Sequence, residues 1–475
     1  MEEVEKSDQI NNSILPDFAR NLSIKKKQKA SQLGAESTSQ SLDSIFSFVI
    51  PEFAKDIIEL ETRKSRFIDA FHQMKYFIEH TMKMSNFFTT EEVLEKQFIF
   101  PVSPKSLNNQ IIVAVDGSFV RKSYTNFEFS LFRAISVIYS FSAKGIDIGY
   151  YPVENGIENY QLTRILNNTS DQIASSQISI DRAFMEISLI NDMITKYKNN
   201  IDMVILDGSI LTEPLNLLSS ESQHKELMVK YSKLVKEYKK LYNLCDLRKI
   251  DLVGVVKDTR SSTFRKLLSR RIPQILPKLN EPSLLKIDYK KLLPYFSDLD
   301  FFHRVLDIGE RSCVFSISSS GNSWIPRQLE ILNKELKSKT SFLDEYQFFA
   351  SYMKPAPFDY PIRIEFHQNK KNINPAGIHS KIQRICETLY PLSSKFDDFA
   401  VPIPQIEAHM RAKLSLADLN MVIQYLTQQI GEELNSFTKK ILFDDLDKQY
   451  GRKFDEFLMK NNFMVPKRRE RMPLG

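Results

Sequence analysis

A chain of 475 residues is long enough to bury a large core, and that length suggests two or three folding units. With 42% hydrophobic and 26% charged residues and a net charge of +6, it belongs to the ordinary globular class and leans only mildly toward polyanions. Three scattered cysteines (Cys245, Cys313 and Cys386) exclude a cysteine-based zinc site and a disulfide framework.

Residues 1–45 are polar, with a basic run at Lys25–Lys29 and a Ser/Gln/Thr-rich stretch at 36–41. They read as a flexible extension whose basic run either touches nucleic acid or is a solvated cluster. The charged start lacks a signal-peptide core, and no apolar run reaches the roughly 18–20 residues of a membrane span, so a cytoplasmic protein is expected. From Ile45 to about Met84 the spacing of Phe, Ile and Leu is helical, which predicts a helical lead-in over 46–105.

The period then changes. Ile111–Val115 is a continuous apolar run, the pattern of a strand buried on both faces, and it ends in Asp116-Gly117-Ser118. Phe127–Phe141 is aromatic and β-branched, and a turn at Lys144-Gly145 leads into Ile146–Val153 as a hairpin. A helix is predicted at about 179–198, then a buried strand at Met203–Leu206 ending in Asp207-Gly208-Ser209. A charged helical stretch at about 219–243 precedes the strand Leu252–Val256, which ends at Lys257. A three-strand meander followed by helix-separated strands is the ribonuclease H-like order. The expected fold is therefore α/β, a ribonuclease H-like mixed-sheet core with helical insertions and helical N- and C-terminal extensions. The core is placed at 106–440, with insertions at about 215–245 and 273–300 and a basic tail at 441–475. Further strands are predicted at Arg311–Ser318 and Tyr360–His367, and a helix at 415–440 starts with Ser415 as a cap three residues before Asp418.

Two strand-end aspartates on neighbouring strands would share one sheet edge, where open α/β sheets bind ligands. Taken singly, each Asp-Gly-Ser is also good turn chemistry. On the 179–198 helix, at about 100° per residue, Ala183, Ile187, Ile190, Met193 and Ile194 form one apolar arc. Glu186 falls inside that arc, while Asp181 and Asp192 fall on the solvent side. A carboxylate on a core-facing stripe needs a metal or an ion-pair partner, and Arg182 is the available partner. Three converging carboxylates without thiols suit Mg²⁺ or Mn²⁺ and phosphodiester hydrolysis. His409, just ahead of the C-terminal helix, is a candidate fourth ligand, with Glu407 as a competitor. In Ile362–His367, period-two alternation puts Arg363, Glu365 and His367 on one face, either an exposed salt-bridged face or part of a site. Lys257 and Arg260 lie in a polar turn rich in phosphate-compatible donors.

Asp116-Gly117-Ser118, Arg182 with Glu186, Asp207-Gly208-Ser209, Gly254–Lys257, Arg363–Glu365 and Ala408-His409, in this order over about 110–430, resemble the NurA-type nuclease family. That archaeal and bacterial family works beside the HerA hexameric ATPase. The resemblance implies Mn²⁺-dependent cleavage of DNA, with 5′-to-3′ exonuclease and single-strand endonuclease activity. It also implies a homodimer that docks on a HerA-type ATPase in DNA end resection. It assigns metal binding and catalysis to Asp116, Glu186, Asp207 and His409, and adds Lys257 to the catalytic set. Substrate-binding candidates are Arg182, Arg260, Arg363 and Glu365. The chain is long for the family, with added sequence at both ends and at 273–300. Two other readings remain: a non-catalytic DNA-binding or scaffold subunit of the same fold, and an actin-like ATPase. The second is disfavoured because only 13 glycines occur and none cluster.

Overall fold

The computed structural model describes residues 45–81, 93, 95, 97–124, 127–152, 160–166, 171–197, 200–211, 225–257, 259–275, 288–317 and 344–441. The basic run at 25–29, the polar stretch at 36–41 and the tail beyond 441 lie outside these residues. The chain divides into two units, Met1–Asp69 and Ala70–Gly475. Helix α1 (Ile50–Thr81) is the helical lead-in.

The second unit is built on an eleven-stranded sheet. One half of it contains β2 (Ile111–Ser123), β3 (Phe127–Ser142), β4 (Gly145–Tyr151), β6 (Met203–Asp207) and β7 (Asp251–Val256). β2, β3 and β4 form an antiparallel meander, and β6 lies parallel to both β2 and β7. The spatial order β4-β3-β2-β6-β7 is the ribonuclease H-like arrangement expected from the element order. The runs at 112–115, 203–206 and 252–255 are nearly free of solvent on both faces, which is why they lack alternation.

Helices α2 (Asp171–Lys196) and α3 (Lys225–Arg248) pack together. α3 is the crossover that parallel neighbours β6 and β7 require, so 225–248 belongs to the core and is not an insertion. Asp181 differs from expectation too: it is half-buried, turned toward α3 and paired with Lys230 at 2.7 Å, and does not point freely into solvent.

On the far side of β7 the sheet continues through β11 (Ile362–Asn369), β10 (Tyr346–Lys354), β8 (Glu310–Ser312) and β1 (Ile99–Pro101), all antiparallel. β5 (Tyr160–Leu166) pairs with β3, and β9 (Phe315–Ser316) pairs with β10. β5 and β10 are strands the sequence pattern did not announce. The 46–105 lead-in also ends in a strand, β1. After β7 come α4 (Thr263–Ile275) and α5 (Asp298–Val305). Helices α6 (Pro375–Ser393), α7 (Ile403–Ala412) and α8 (Leu416–Ile441) close the fold. α6 and α7 cover one sheet face, where Ile382, Ile385, Leu389 and Ala408 pack with Ile112, Ala114, Ile205 and Val255. α8 starts on a reciprocal cap, with Asp418 N donating to Ser415 Oγ at 3.3 Å and Ser415 N to Asp418 Oδ2 at 2.7 Å.

Candidate active site

β2 does not stop at Asp116. Its pairing with β3 continues to Ser123, so Asp116-Gly117-Ser118 is strand and not the expected turn. Asp116 nevertheless lies at the edge of the parallel region. Val115 is the last β2 residue paired with β6, opposite Leu206, which sets Asp116 beside Asp207. Asp207 ends β6, and its turn is a true one: Gly208 has φ +109°, a backbone state that glycine adopts without Cβ strain.

Each residue of the first tripeptide has a separate use. Asp116 shares a strand face with Ile112 and Ala114 and is 5% exposed. Gly117 N–H donates to Asp116 Oδ1 at 2.7 Å. A Cβ on Gly117 would lie 2.5 Å from Glu186 Oε1, so the absent side chain is what lets α2 bring its acid against the strand. Ser118 Oγ accepts from Leu414 N at 3.0 Å and ties down the chain that follows α7.

His409 lies just ahead of the last helix, as expected, and itself sits inside a helix, α7. Its Nδ1–H donates to Asp116 Oδ2 at 2.8 Å. One ligand atom from each of Asp116, Asp207 and His409 lies within 4.8 Å of the others. One turn earlier, Gln405 is fully buried and donates Nε2–H to Asp207 Oδ1 at 2.6 Å and to Val255 O at 3.4 Å. A single helix thus holds both aspartates, through residues four apart on one face. Gln405 was missed at the sequence level, where the signal available was its i, i−4 relation to His409. Lys257, just past β7, reaches Asp207 Oδ1 at 3.3 Å. Glu407 is taken by Tyr150 Oη at 2.9 Å and Arg411 at 2.8 Å, which removes it as a competitor for the cluster.

Electrostatics mark the same residues. Burial raises the Asp116 carboxyl above its usual range, and the charge of Asp207 adds to this; the His409 and Gly117 hydrogen bonds oppose it. Glu186 is pushed up to about 8 by burial, with Asp116 and Asp207 adding to the rise and Arg182 opposing it. Arg182 Nε stands 3.4 Å from Glu186 Oε1, the ordinary ion pair expected as its alternative explanation. Yet that oxygen is buried and has no hydrogen-bond partner among the described residues. A buried, unsatisfied acceptor beside two further carboxylates is costly, and a cation would relieve it. The donor set of carboxylates and one imidazole, without thiols, fits a hard divalent ion.

The remaining candidates are more dispersed. Arg363, Glu365 and His367 are all buried, which rules out an exposed salt-bridged face. Arg363 pairs with Glu365 at 2.7 Å. Glu365 accepts from Ser209 Oγ at 2.6 Å and Ile210 N at 3.2 Å, so it braces the turn after Asp207 from behind. His367 meets Asp246 at 3.2 Å, away from the cluster. Arg182 is 41% exposed, and Arg260 is exposed in the loop beyond Lys257.

Comparison with solved structures finds the NurA nuclease from Sulfolobus solfataricus at 14% identity and TM-score 0.43, covering 80% of this chain and 98% of that one. A NurA structure with manganese follows at 10% identity and TM-score 0.33, covering 83% and 99%. Endonuclease V from Bacillus subtilis is similar at 11% identity and TM-score 0.27, covering 68% and 87%. No curated protein matches by sequence. The sequence model of the NurA domain matches residues 110–414, a span that runs from the edge of β2 past the end of α7 and takes in Asp116, Glu186, Asp207 and His409. The chain belongs to the NurA nuclease family.

Proposed function

We propose that this nuclease is a metal-dependent deoxyribonuclease whose cation is held by Asp116, Glu186, Asp207 and His409. The observation that carries the reading is the Asp116–Asp207–His409 cluster with the unsatisfied Glu186 oxygen beside it. When bound, Mn²⁺ or Mg²⁺ supplies Lewis-acid activation of water and of the phosphodiester. The chain's own residues orient that chemistry. Gln405 and Lys257 fix the Asp207 carboxylate from two sides. Glu365 holds the turn that carries Asp207, and Lys257 places positive charge where a phosphate oxygen would sit. Arg182 and Arg260, both reaching solvent, are the better placed of the four substrate-binding candidates; Arg363 and Glu365 act from behind the turn.

Family membership supports the finer reading: manganese as the ion, 5′-to-3′ exonuclease and single-strand endonuclease activity, and a homodimer acting with a HerA-type ATPase in DNA end resection and repair. Three buried free thiols suit a reducing cytoplasm, and no helix among the described residues is long and apolar enough to cross a membrane. The actin-like ATPase reading loses its basis, because Asp116-Gly117-Ser118 is strand and not a phosphate-binding turn.

The test is degradation of linear and single-stranded DNA in Mn²⁺, alone and with a HerA-type partner. Activity is expected in the wild type, with loss in Asp116→Ala and Asp207→Ala at an unchanged circular dichroism spectrum. A wild type that degrades no DNA under either condition would mean the reading is wrong.

A further inference from the structure

Beyond the metal cluster, the exposed side of α4 is strongly basic. In Thr263–Ile275 the sequence holds Arg265, Lys266, Arg270 and Arg271 and no acidic residue. Phe264, Leu267 and Leu268 are buried, which fixes the helix against the body and turns Lys266, Ser269 and Arg270 outward. These three, with Arg265, line a cavity of about 310 Å³ whose other wall is Leu293 and Pro294. No carboxylate is among the described residues that line it. Arg265 donates to Pro294 O at 2.7 Å and Phe296 O at 3.1 Å, so its charge is held at the cavity wall by neutral acceptors.

The amides at the start of α4 are not available to a ligand. Phe264 N and Arg265 N donate to Asp298 at 3.0 and 2.8 Å, and Thr263 N donates to Ser261 Oγ at 3.3 Å. Any anion held here must be held by side chains. The same cap ties α4 to the metal cluster: Asp298 feels the charge of Arg363, which pairs with Glu365, which braces the Asp207 turn. Only five residues lie between Lys257 and Thr263, so α4 begins within about 20 Å of Lys257 even if the link is fully extended. Exposed Arg260 lies between them.

We propose that α4 and the Leu293–Pro294 turn form a phosphate-backbone subsite that holds a DNA strand beside the metal cluster. This rests on the deoxyribonuclease reading and adds to it a track of cations, Lys257, Arg260, Lys266 and Arg270, leading away from the reacting phosphate. Such contacts position the strand without reading its sequence. They also release counterions, so they are visible in the salt dependence of binding.

The experiment measures binding of a fluorescent single-stranded oligonucleotide in chelator across a salt series, for wild type, a Lys266→Ala/Arg270→Ala pair, Ser269→Glu, and a charge-conserving Lys266→Arg/Arg270→Lys pair. Loss of two phosphate contacts should flatten the slope of log K against log salt by about 1.4. Ser269→Glu should weaken binding, and the conserved-charge pair should restore it. Hydrolysis of bis(p-nitrophenyl) phosphate in Mn²⁺ should be unchanged in all three variants. Slopes and affinities equal to wild type in both the Lys266→Ala/Arg270→Ala pair and Ser269→Glu would overturn the subsite and leave the nuclease reading standing. A wild type that binds with the expected slope but cleaves nothing in Mn²⁺ supports the subsite while removing the deoxyribonuclease reading.

Discussion

A methyl group on Gly117 would meet Glu186 Oε1 at 2.5 Å and Glu186 Cγ at 2.6 Å. The obstacle is a side chain that can swing and not backbone, so Gly117→Ala should leave the melting temperature close to wild type while displacing the carboxylate. Misplacing a catalytic group by ~1 Å costs on the order of 10²-fold in rate, and a loss of that size in Mn²⁺-dependent DNA degradation is expected. Glu186 itself works against the metal-free fold. Its carboxyl titrates near 8 in the folded chain against an ordinary 4.5, so between those values the folded chain keeps a proton that the unfolded chain has released. Stability is then lost as pH rises through that window. In chelator, Glu186→Gln should melt several degrees above wild type at pH 8 and with wild type at pH 4, as thermal denaturation would show. As candidates, Asp116, Asp207 and Glu186 stand out in the sequence because each breaks an apolar pattern. Gln405 was not, because an amide four residues before a histidine gains meaning only once α7 lies across the ends of β6 and β7. Burial of Arg363, Glu365 and His367 was equally hidden, since alternation looks the same whether a strand face meets water or another layer.

At the scale of elements, strands buried on both faces were read correctly, and their order alone led to the ribonuclease H-like arrangement. The end of β2 was misread because Asp-Gly-Ser is good turn chemistry, whereas pairing with β3 as far as Ser123–Glu128 carries the strand on. β10 escaped notice because Tyr346–Lys354 mixes aromatic and small residues without a period, and its antiparallel partners β11, β8 and β9 define it. Close approach of β7 to the Asp207 turn shows how elements constrain the site. A Cβ on Gly254 would lie 2.6 Å from Gly208 O and 2.9 Å from Ile210 N, which are backbone atoms and cannot swing aside. Gly254→Ala should therefore cost at least about 1–3 kcal/mol in urea denaturation, and it should lower nuclease activity as well by shifting Asp207. The contrast with Gly117→Ala, which should spare stability, separates the two glycine roles.

In the whole second unit, the eleven strands bring together segments more than 200 residues apart. β1 at Ile99–Pro101 pairs with β8 at Glu310–Ser312, and Glu95 is locked to Arg311 through two hydrogen bonds of 2.8 and 3.0 Å. Arg311 is fully buried, stacks over Phe100 at 4.2 Å and also contacts Gln383 at 2.9 Å. Removing Arg311 takes the guanidinium from the buried Glu95 carboxylate, leaving it only His379 at 2.6 Å and the Val314 amide at 2.7 Å, so Arg311→Ala should destabilise the fold by about 3–5 kcal/mol, measured by chemical denaturation. That outer half was legible only in part: strands were expected at Arg311–Ser318 and Tyr360–His367, where β8, β9 and β11 lie, whereas β1 and β10 are defined by non-local pairing. The catalytic claim rests on the other half. Its most direct test is anomalous diffraction at the manganese edge from crystals grown with Mn²⁺. A peak within coordination distance, roughly 2–2.5 Å, of both Asp116 and Asp207, with His409 or Glu186 completing the shell, is the expected result. Saturating Mn²⁺ that gives no peak there, or a peak whose ligands exclude both aspartates, would contradict it.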